Sequence, residues 1–484
     1  MAVAKLIIRD EVNVGIRGID PYTSDLIWNR LSYYVPDHFF KASSMIGRWD
    51  GMIRLYKKRG NRTFLNLLKH VIPILVQQGY EVEIIEDNRE DYNHVSKQLT
   101  LIDENSFSGY TFNEEPLVVR DYQIESTNRA LKEGSGVLEM ATGSGKTLVC
   151  AILSKLYSLH GNVVVIVPTI DLILQTRSAF KQLGIDAGIW YGQTKEKERV
   201  TIGTWQSIDH FPELFDGVIC FIVDEVHKAK AKVVNEMLTG PGAKVPFRFG
   251  CTGTMPKEEL FKAQIEASIG PTIFELKAWQ LQEQGVLADA SILQMELNDK
   301  KNPKYKRKFP ENKPMDWKTE TDWLFSQPDR VNCLATAIQQ IAQNGNTLVL
   351  INFRAYGKVL QESIPGSISL DGRDKNRIDI YKEFNDGDDG ILICTTGIAS
   401  TGIDIPRIFN LVVIEPGKKF ESINQILGRG LRKTKDKTHL NVYDLHGNGK
   451  YCLRHARIRR RLYMEARQPY ETITMDYHDV NTVS

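Results

Sequence analysis

Apolar residues recur in two series of short continuous runs, each run followed by a stretch with helical spacing. In the first series, Gly136 to Met140 leads into a helical-looking stretch from Leu148 to Leu159, and Val163 to Val167 leads into Ile170 to Leu183. Val200 to Gly203 and Gly217 to Val223 complete it. Short unbroken apolar runs of this kind predict strands buried on both faces. Strands alternating with helices imply a parallel sheet covered on both sides, with chemistry at the carboxyl ends of the strands. The second series starts near Asn346, with strands at Thr347 to Ile351, Gly390 to Cys394 and Asn410 to Ile414, and helices over Tyr356 to Ser363 and Phe420 to Arg432. The predicted fold class is α/β, with two parallel-sheet units in tandem.

The first 112 residues differ in character. They hold an aromatic and basic block from Tyr33 to Tyr56, then Asn61 to Gly79 with a wide apolar helical face formed by Leu65, Leu67, Leu68, Val71, Ile72 and Leu75. A small α+β accessory domain fits this pattern. Between the two series, Glu296 to Trp317 is polar, lysine-rich and carries Pro303, Pro310 and Pro314, as a plain linker or a protruding hairpin would. The expected division is residues 1–112, 113–285, a linker or basic insertion at 286–325, and 326–484 with a basic carboxyl-terminal tail.

Composition narrows the class. The chain has 484 residues, 42% hydrophobic and 25% charged, which is too long for one ordinary core and typical of a soluble globular protein. It contains no apolar run long enough to span a bilayer, and Met1 to Asp10 alternates like a strand with no secretory signature. No membrane partner is expected. The six cysteines are far apart with no CxxC pair, predicting buried free thiols in a reducing cytoplasm and no zinc site.

A net charge of +2 does not announce a nucleic-acid partner, but the charge is unevenly spread. Arg54 to Arg62 holds five cations and no acid, Lys300 to Lys308 holds six, and Arg454 to Arg461 contains five arginines. Each run alone reads equally well as a solvated loop. Three of them in one chain shift the balance towards the phosphates of a polynucleotide.

The nucleotide signal is Met140-Ala-Thr-Gly-Ser-Gly-Lys-Thr147, set between a strand and a helix. Thr142, Gly143, Ser144 and Gly145 would wrap backbone N–H groups around phosphate oxygens at a positive helix end. Lys146 would reach the terminal phosphates of ATP, and the Thr147 hydroxyl would ligate Mg²⁺. Met140 stands where the strict pattern has its first glycine. Asp224, at the end of an apolar strand, would hold Mg²⁺ through water, and the adjacent Glu225 would orient and deprotonate the attacking water.

The order of motifs resembles superfamily 2 helicases over residues 115 to 450, which implies two RecA-like domains. Asp224-Glu-Val-His227 is similar to the DExH box. Arg120-Asp-Tyr-Gln123 resembles the Q-type motif, in which Gln123 would read adenine with Tyr122 or Arg120 stacked nearby. Val167-Pro-Thr169 with Gln175 resembles motif Ia, and Thr204-Trp-Gln-Ser207 motif Ic. Thr252-Gly-Thr254 resembles motif III, Thr401-Gly-Ile-Asp404 motif V, and Gln425-Ile-Leu-Gly-Arg-Gly-Leu-Arg432 motif VI. The resemblance implies that Asp404 contributes to ATP binding, and that His227, Thr252 and Thr254 couple hydrolysis to strand movement. It implies that Thr169, Thr204, Trp205 and Thr401 contact DNA. Gln425 would stand near the attacking water. Arg429 and Arg432, three apart on one helical face, would meet the γ-phosphate across a cleft, Arg432 as the finger. Trp205 reads equally as a packed core indole.

Gly47-Arg-Trp-Asp-Gly-Met-Ile-Arg-Leu55 resembles the amino-terminal domain of UvsW-type bacteriophage helicases, which remodel recombination and fork intermediates. Trp49, Arg54, Lys57, Lys58 and Arg59 would contact DNA there, with a core role equally open to Trp49. The resulting expectation is an ATP- and Mg²⁺-dependent DNA helicase or translocase acting 3′ to 5′ on branched DNA. It would work in a bacterial host's cytoplasm if phage-encoded, beside replication or recombination proteins. An RNA helicase with the same motor, an ATP-gated DNA-binding scaffold and the motor subunit of a restriction or repair complex are the alternatives.

Overall fold

The computed structural model describes residues 2–36, 38–40, 42–112, 115–209, 212–227, 232–310, 315–370, 374, 376–396, 405–417, 426–434 and 436–477. Residues 1–141 and 145–276 form one compact unit, and residues 142–144 and 277–484 the other.

The first unit opens with a four-stranded module. Strand β1 (Ala2–Ile8) pairs antiparallel with β2 (Asn13–Arg17), helix α1 (Pro21–Arg30) follows, and β3 (Arg62–Phe64) pairs on the far side of β2. Helix α2 (Leu68–Gln77) then leads to β4 (Tyr80–Asp87), which runs parallel to β1. The helix expected from Asn61 starts later. Asn61 takes a left-handed φ of 42°, and the next three residues are captured by β2, so non-local pairing overrides the helical spacing. Ile16, Ile27, Val71 and Leu75 build the module's core, and Ala263 and Ala267 from a helix of the motor sheet complete it.

That motor sheet follows helix α3 (Asp121–Glu133). Its elements in chain order are β5 (Ser135–Met140), α4 (Lys146–Ser158), β6 (Asn162–Val167), α5 (Ile170–Gln182), β7 (Gly188–Tyr191), β8 (Thr194–Lys195) and β9 (Val200–Thr204). Short α6 (Trp205–Ile208), β10 (Val218–Asp224), α7 (Lys232–Thr239), β11 (Phe247–Thr252), α8 (Glu259–Ser268) and β12 (Thr272–Leu276) complete it. The sheet order is β8-β7-β9-β6-β10-β11-β5-β12, parallel throughout except for the edge strand β8.

One buried cation gathers the stretch of this region on which the module rests. Arg248 of β11 donates to the Leu238 carbonyl near the end of α7 at 2.7 Å, to Ser268 at the end of α8 at 2.9 Å, and to Gly242 at 2.6 Å. Two helix carboxyl ends thus share one guanidinium, where their dipoles favour positive charge. Burial nevertheless pushes Arg248 down to about 9. The same stretch holds the module, because Glu11 N donates to Ala243 O at 3.1 Å and Asn13 Nδ2 to Thr239 O at 3.1 Å.

The second unit is a seven-stranded, all-parallel sheet. It contains β13 (Asp289–Leu297), α9 (Pro303–Lys308), α10 (Trp317–Phe325), α11 (Pro328–Ala342), β14 (Thr347–Ile351), α12 (Arg354–Ser363) and β15 (Ile368–Leu370). There follow β16 (Ile391–Thr395), β17 (Asn410–Ile414), β18 (His439–Gly447), α13 (Lys450–Glu465) and β19 (Tyr470–Met475), in sheet order β15-β16-β14-β17-β18-β13-β19. The expected linker at 286–325 is therefore corrected. Its β13 lies between β18 and β19 in full register, and its lysine-rich part is helix α9, with Asn302 capping Lys304 N at 2.9 Å and Pro303 at the first turn.

The carboxyl edge of this sheet is fixed by buried charge. Arg330 of α11 donates to Asp299 at 2.9 Å and to Glu415 at 2.5 Å, and Glu415 also accepts from Gly447 N at 2.7 Å. Burial raises Asp299 to about 6 despite the guanidinium beside it. All six cysteines are buried and free, as expected. No helix among the described residues is long and apolar enough to cross a membrane.

Candidate active site

Three strand ends meet at the carboxyl edge of the first unit's motor sheet. In register, Asp224 of β10 lies beside Cys251 of β11, and Thr252 beside Glu139 of β5. With strands about 4.8 Å apart, Asp224 is roughly 10 Å across the sheet from the strand feeding the glycine loop. Thr252 sits between them.

The loop reverses the chain between β5 and α4 with Gly143 at φ 87° and Gly145 at φ 83°. A Cβ on Gly145 would lie 2.4 Å from the Gln123 amide nitrogen, so the loop can pack on Gln123 only as glycine. Gln123 is held by its own helix start, its Oε1 accepting from Arg120 N at 3.0 Å. Arg120 Nη1 donates to the Tyr122 hydroxyl at 2.9 Å, and the Tyr122 ring is buried, which leaves Arg120 as the more exposed of the two.

Met140 is the last residue of β5. It is fully buried, has an ordinary negative φ, and pairs with Leu276 of β12. A position with strand dihedrals does not require glycine, which explains the departure from the strict pattern. Its carbonyl accepts from Lys146 Nζ at 3.1 Å, so the lysine already reaches back across the loop. Thr147 is exposed in the first turn of α4, and Ser144 is buried. The backbone turn, the lysine and the exposed hydroxyl fit a Mg-nucleotide in donor type: N–H groups and a cation for phosphates, and an oxygen for a hard metal.

Beyond Asp224 the chain turns sharply. Glu225 takes a left-handed φ of 53°, and its N–H donates to Asp224 Oδ1 at 3.0 Å. This turn sends the Glu225 carboxylate to 3.2 Å from His227 Nδ1. The same nitrogen is 2.7 Å from Thr252 Oγ1. Thr252 spends its only hydroxyl proton on the Thr254 carbonyl at 3.0 Å, so it must accept from His227. The proton is therefore on Nδ1, and one N–H faces both Glu225 and Thr252. Beneath this edge, Cys150 of α4 packs its sulfur 3.5 Å from that of Cys251, joining the loop helix to the strand carrying Thr252.

The expected nucleic-acid residues are placed unevenly. Thr169 is partly exposed and caps α5 through Leu172 N at 3.4 Å. Thr204 is buried with its hydroxyl donating to Ser207 at 3.0 Å, and Trp205 is partly buried against the core. Trp49 is half-buried and donates to Met52 O at 3.0 Å. Arg54 pairs with Asp50, and Lys58 with Asp25 at 2.5 Å. Both cations lie over Trp28, at 4.1 and 4.3 Å, a platform the sequence pattern does not single out because Trp28 lies inside α1. Lys57 and Arg59 are exposed.

In the second unit, Arg429 and Arg432 do not share a helical face. The helix ends at Gly430, and Arg432 forms an isolated bridge with Leu287 while Ala288 N donates to the Leu431 carbonyl at 2.7 Å. Buried Lys437 closes the helix end by donating to the Gly430 carbonyl and, at 3.0 Å, to that of Pro406. Burial pushes Lys437 down to about 7. Thr401, Asp404 and Gln425 lie outside the described residues.

Comparison with known proteins agrees with this arrangement. The type III restriction enzyme, res subunit family matches residues 116–257, and the helicase conserved C-terminal domain family matches residues 329–434. The chain is 24% identical over 444 residues to the ATP-dependent DNA helicase uvsW of Enterobacteria phage T4, covering 86% of this chain and 85% of that protein. It is 29% identical over 165 residues to the DNA 3′-5′ translocase XPB2 of Sulfurisphaera tokodaii, covering 34% and 37% of the two chains. A structure of the ATP-dependent type ISP restriction-modification enzyme LlaBIII bound to DNA shares the fold at a TM-score of 0.53 and 16% identity, covering 84% of this chain and 36% of that one. With a glycine loop and DExH turn on one parallel sheet and a helicase C-terminal domain on the other, the chain belongs to the superfamily 2 helicases and is an ATP-dependent helicase.

Proposed function

We propose that this helicase acts on DNA, remodelling forks and four-way junctions with 3′ to 5′ polarity and Mg-ATP as fuel. The observation that carries the reading is the line Glu225–His227–Thr252–Thr254 beside the glycine loop, in which the Glu225 carboxylate contacts His227 at 3.2 Å and hydrogen bonds link His227 to Thr252 and Thr252 to Thr254. Such a line lets the water-orienting carboxylate sense the loop that follows β11. Similarity to a phage DNA helicase over most of the chain favours DNA over RNA.

In this reading Lys146 neutralises the terminal phosphates, Thr147 and Asp224 hold Mg²⁺, and Glu225 orients water. Mg²⁺, when bound, supplies charge neutralisation at the phosphates. Arg429, Arg432 and Gln425 complete the hydrolytic set, and Asp404 assists nucleotide binding. Thr169, Thr204, Trp205 and Thr401 track one strand, with Trp49, Arg54, Lys57, Lys58 and Arg59 as an accessory grip. Residues 1–112 serve the accessory grip, the sheet of the first unit carries the nucleotide loop, and residues 277–484, which take in β13, α9 and α10, supply the second motor sheet.

The test is ATP-driven remodelling of fork, four-way-junction and plain-duplex substrates by the full chain and by Lys146→Ala. Matched DNA and RNA strands are compared as stimulators of hydrolysis. Activity on branched DNA that disappears in Lys146→Ala supports the proposal. Stimulation by RNA alone would make the protein an RNA helicase, and junction binding without stimulated hydrolysis would make it a scaffold.

A further inference from the structure

Two basic runs that lie about 150 residues apart in sequence converge on the second unit. They meet at a buried cluster of Tyr305 from α9, Leu324 from α10 and Cys452 from α13. Fully buried Glu320 of α10 ties it together, accepting from the Tyr305 hydroxyl at 2.6 Å and from the Tyr451 and Cys452 N–H groups at 2.9 and 3.0 Å. A carboxylate at the start of α13 suits the helix dipole, so the two helices are docked, not merely adjacent.

The arginine-rich run on α13 divides by function. Arg459 turns inward to Asp444 with bonds of 2.8 and 2.7 Å, and Arg460 reaches Gln294 at 3.0 Å. Lys450, Arg454, Arg457 and Arg461 are exposed, and none makes an ion pair among the described residues. At 100° per residue these four fall within about 60° of the helix circumference, along a stripe roughly 16 Å long. The helix's one acid is Glu465, its final residue. On α9, Lys304, Arg307 and Lys308 are likewise exposed without an acidic partner among the described residues, around the buried Tyr305.

A solvated helix face ordinarily mixes signs, and its charges pair at i,i+4. This surface does neither. The aromatic beside the stripe, Tyr451, is partly buried under Lys450 at 5.9 Å with its hydroxyl donating to the Met315 carbonyl, so it does not offer the row of free rings on which a single-strand groove stacks bases. Rows of cations fixed on helices match a regular phosphate array, and duplex DNA presents about one charge per 1.7 Å of axis. We propose that α13 and α9 form one sequence-independent grip for the phosphate backbone of duplex DNA. The inference rests on the reading of the protein as a DNA helicase and adds a duplex-holding site to it.

The test uses the full chain, a blunt duplex with no single strand, and two variants: Arg454→Gln/Arg457→Gln/Arg461→Gln and Lys304→Gln/Arg307→Gln/Lys308→Gln. Affinity is measured across salt concentration, with DNA-free ATP hydrolysis and melting temperature as controls for folding. Each phosphate left without its cation takes about 0.9 off the slope of log affinity against log salt, so each variant should show a slope smaller by roughly 2–3 and bind at least tenfold more weakly. DNA-free hydrolysis and melting should stay at wild-type values. Wild-type slope and affinity in both variants would overturn the grip while leaving the helicase reading intact. Absence of DNA binding by the wild type would instead defeat that reading. Weakened binding to vesicles containing phosphatidylserine, with duplex binding unchanged, would also overturn the grip and assign the surface to a membrane.

Discussion

His227 Nδ1 lies 2.7 Å from Thr252 Oγ1, and because Thr252 gives its own proton to Thr254, the imidazole is the donor. The same N–H faces Glu225, so a shift in Thr252 alters the partner of the candidate water-orienting carboxylate. Thr252→Val keeps the shape of the fully buried side chain and removes the acceptor. We expect hydrolysis within a few-fold of wild type and at least a tenfold fall in DNA unwinding per ATP consumed. Equal falls in both, measured on the same preparation, would mean that the hydrogen bond is only structural.

Met140 and Gly145 should respond oppositely to substitution. Restoring glycine at Met140 empties a fully buried site, and by analogy with buried methionine truncations it should cost about 2–5 kcal/mol of stability. ATP affinity should change little. Gly145→Ala places a Cβ on the Gln123 amide at a left-handed φ, and should weaken ATP binding more than tenfold with the fold retained. Denaturant melts and a nucleotide-binding titration separate the two.

Lys437 gives a pH signature. Its folded value is pushed down to about 7 by burial, with only Asp436 opposing, while the unfolded lysine stays near 10.5. Between these values the unfolded chain binds the extra proton, so this group's contribution to stability rises with pH above about 7. Lys437→Met removes that slope. The difference in melting temperature between wild type and variant should therefore shift in favour of wild type from pH 7 to pH 9, and a constant difference would refute the assignment.

Arg330 stands between two buried carboxylates. Arg330→Met leaves Asp299 and Glu415 uncompensated, and should cost about 3–5 kcal/mol at neutral pH. Asp299 already sits near 6 with the guanidinium present, so its folded value rises further in the variant. A raised carboxyl stabilises below its folded value and loses that contribution as pH climbs through it. The penalty should accordingly shrink in acid, as urea melts at pH 5 and pH 7.5 would show.

The continuous apolar strands are legible in the sequence because burial on both faces leaves an unbroken signature; Thr347–Ile351 and Asn410–Ile414 match the expected runs to the residue. Strand β13 is not, because its apolar positions alternate with polar ones and its partners, His439–Gly447 and Tyr470–Met475, are remote in sequence. The Asn302-Pro303 start of α9 carries a legible cap that the lysines obscure. At the site, residue types can be read one at a time, but neighbours cannot. That Thr252 stands between Asp224 and the glycine loop follows from sheet order, and that Arg432 leaves its helix follows from a bridge to Leu287.

Helix α8 gives Ala263 and Ala267 to the amino-terminal core at one side, and Ser268 to Arg248 of β11 at its end. The module is therefore bolted to the strand whose far tip is Thr252. Nucleic acid gripped near Lys57 and Arg59 would pull, through one helix, on the place where the His227 hydrogen bond begins. On the proposed reading tension would be an input to hydrolysis, and opposing force on tethered DNA should slow ATP turnover in the wild type but not in Thr252→Val. A motor built this way would feel the weight of its cargo before it steps.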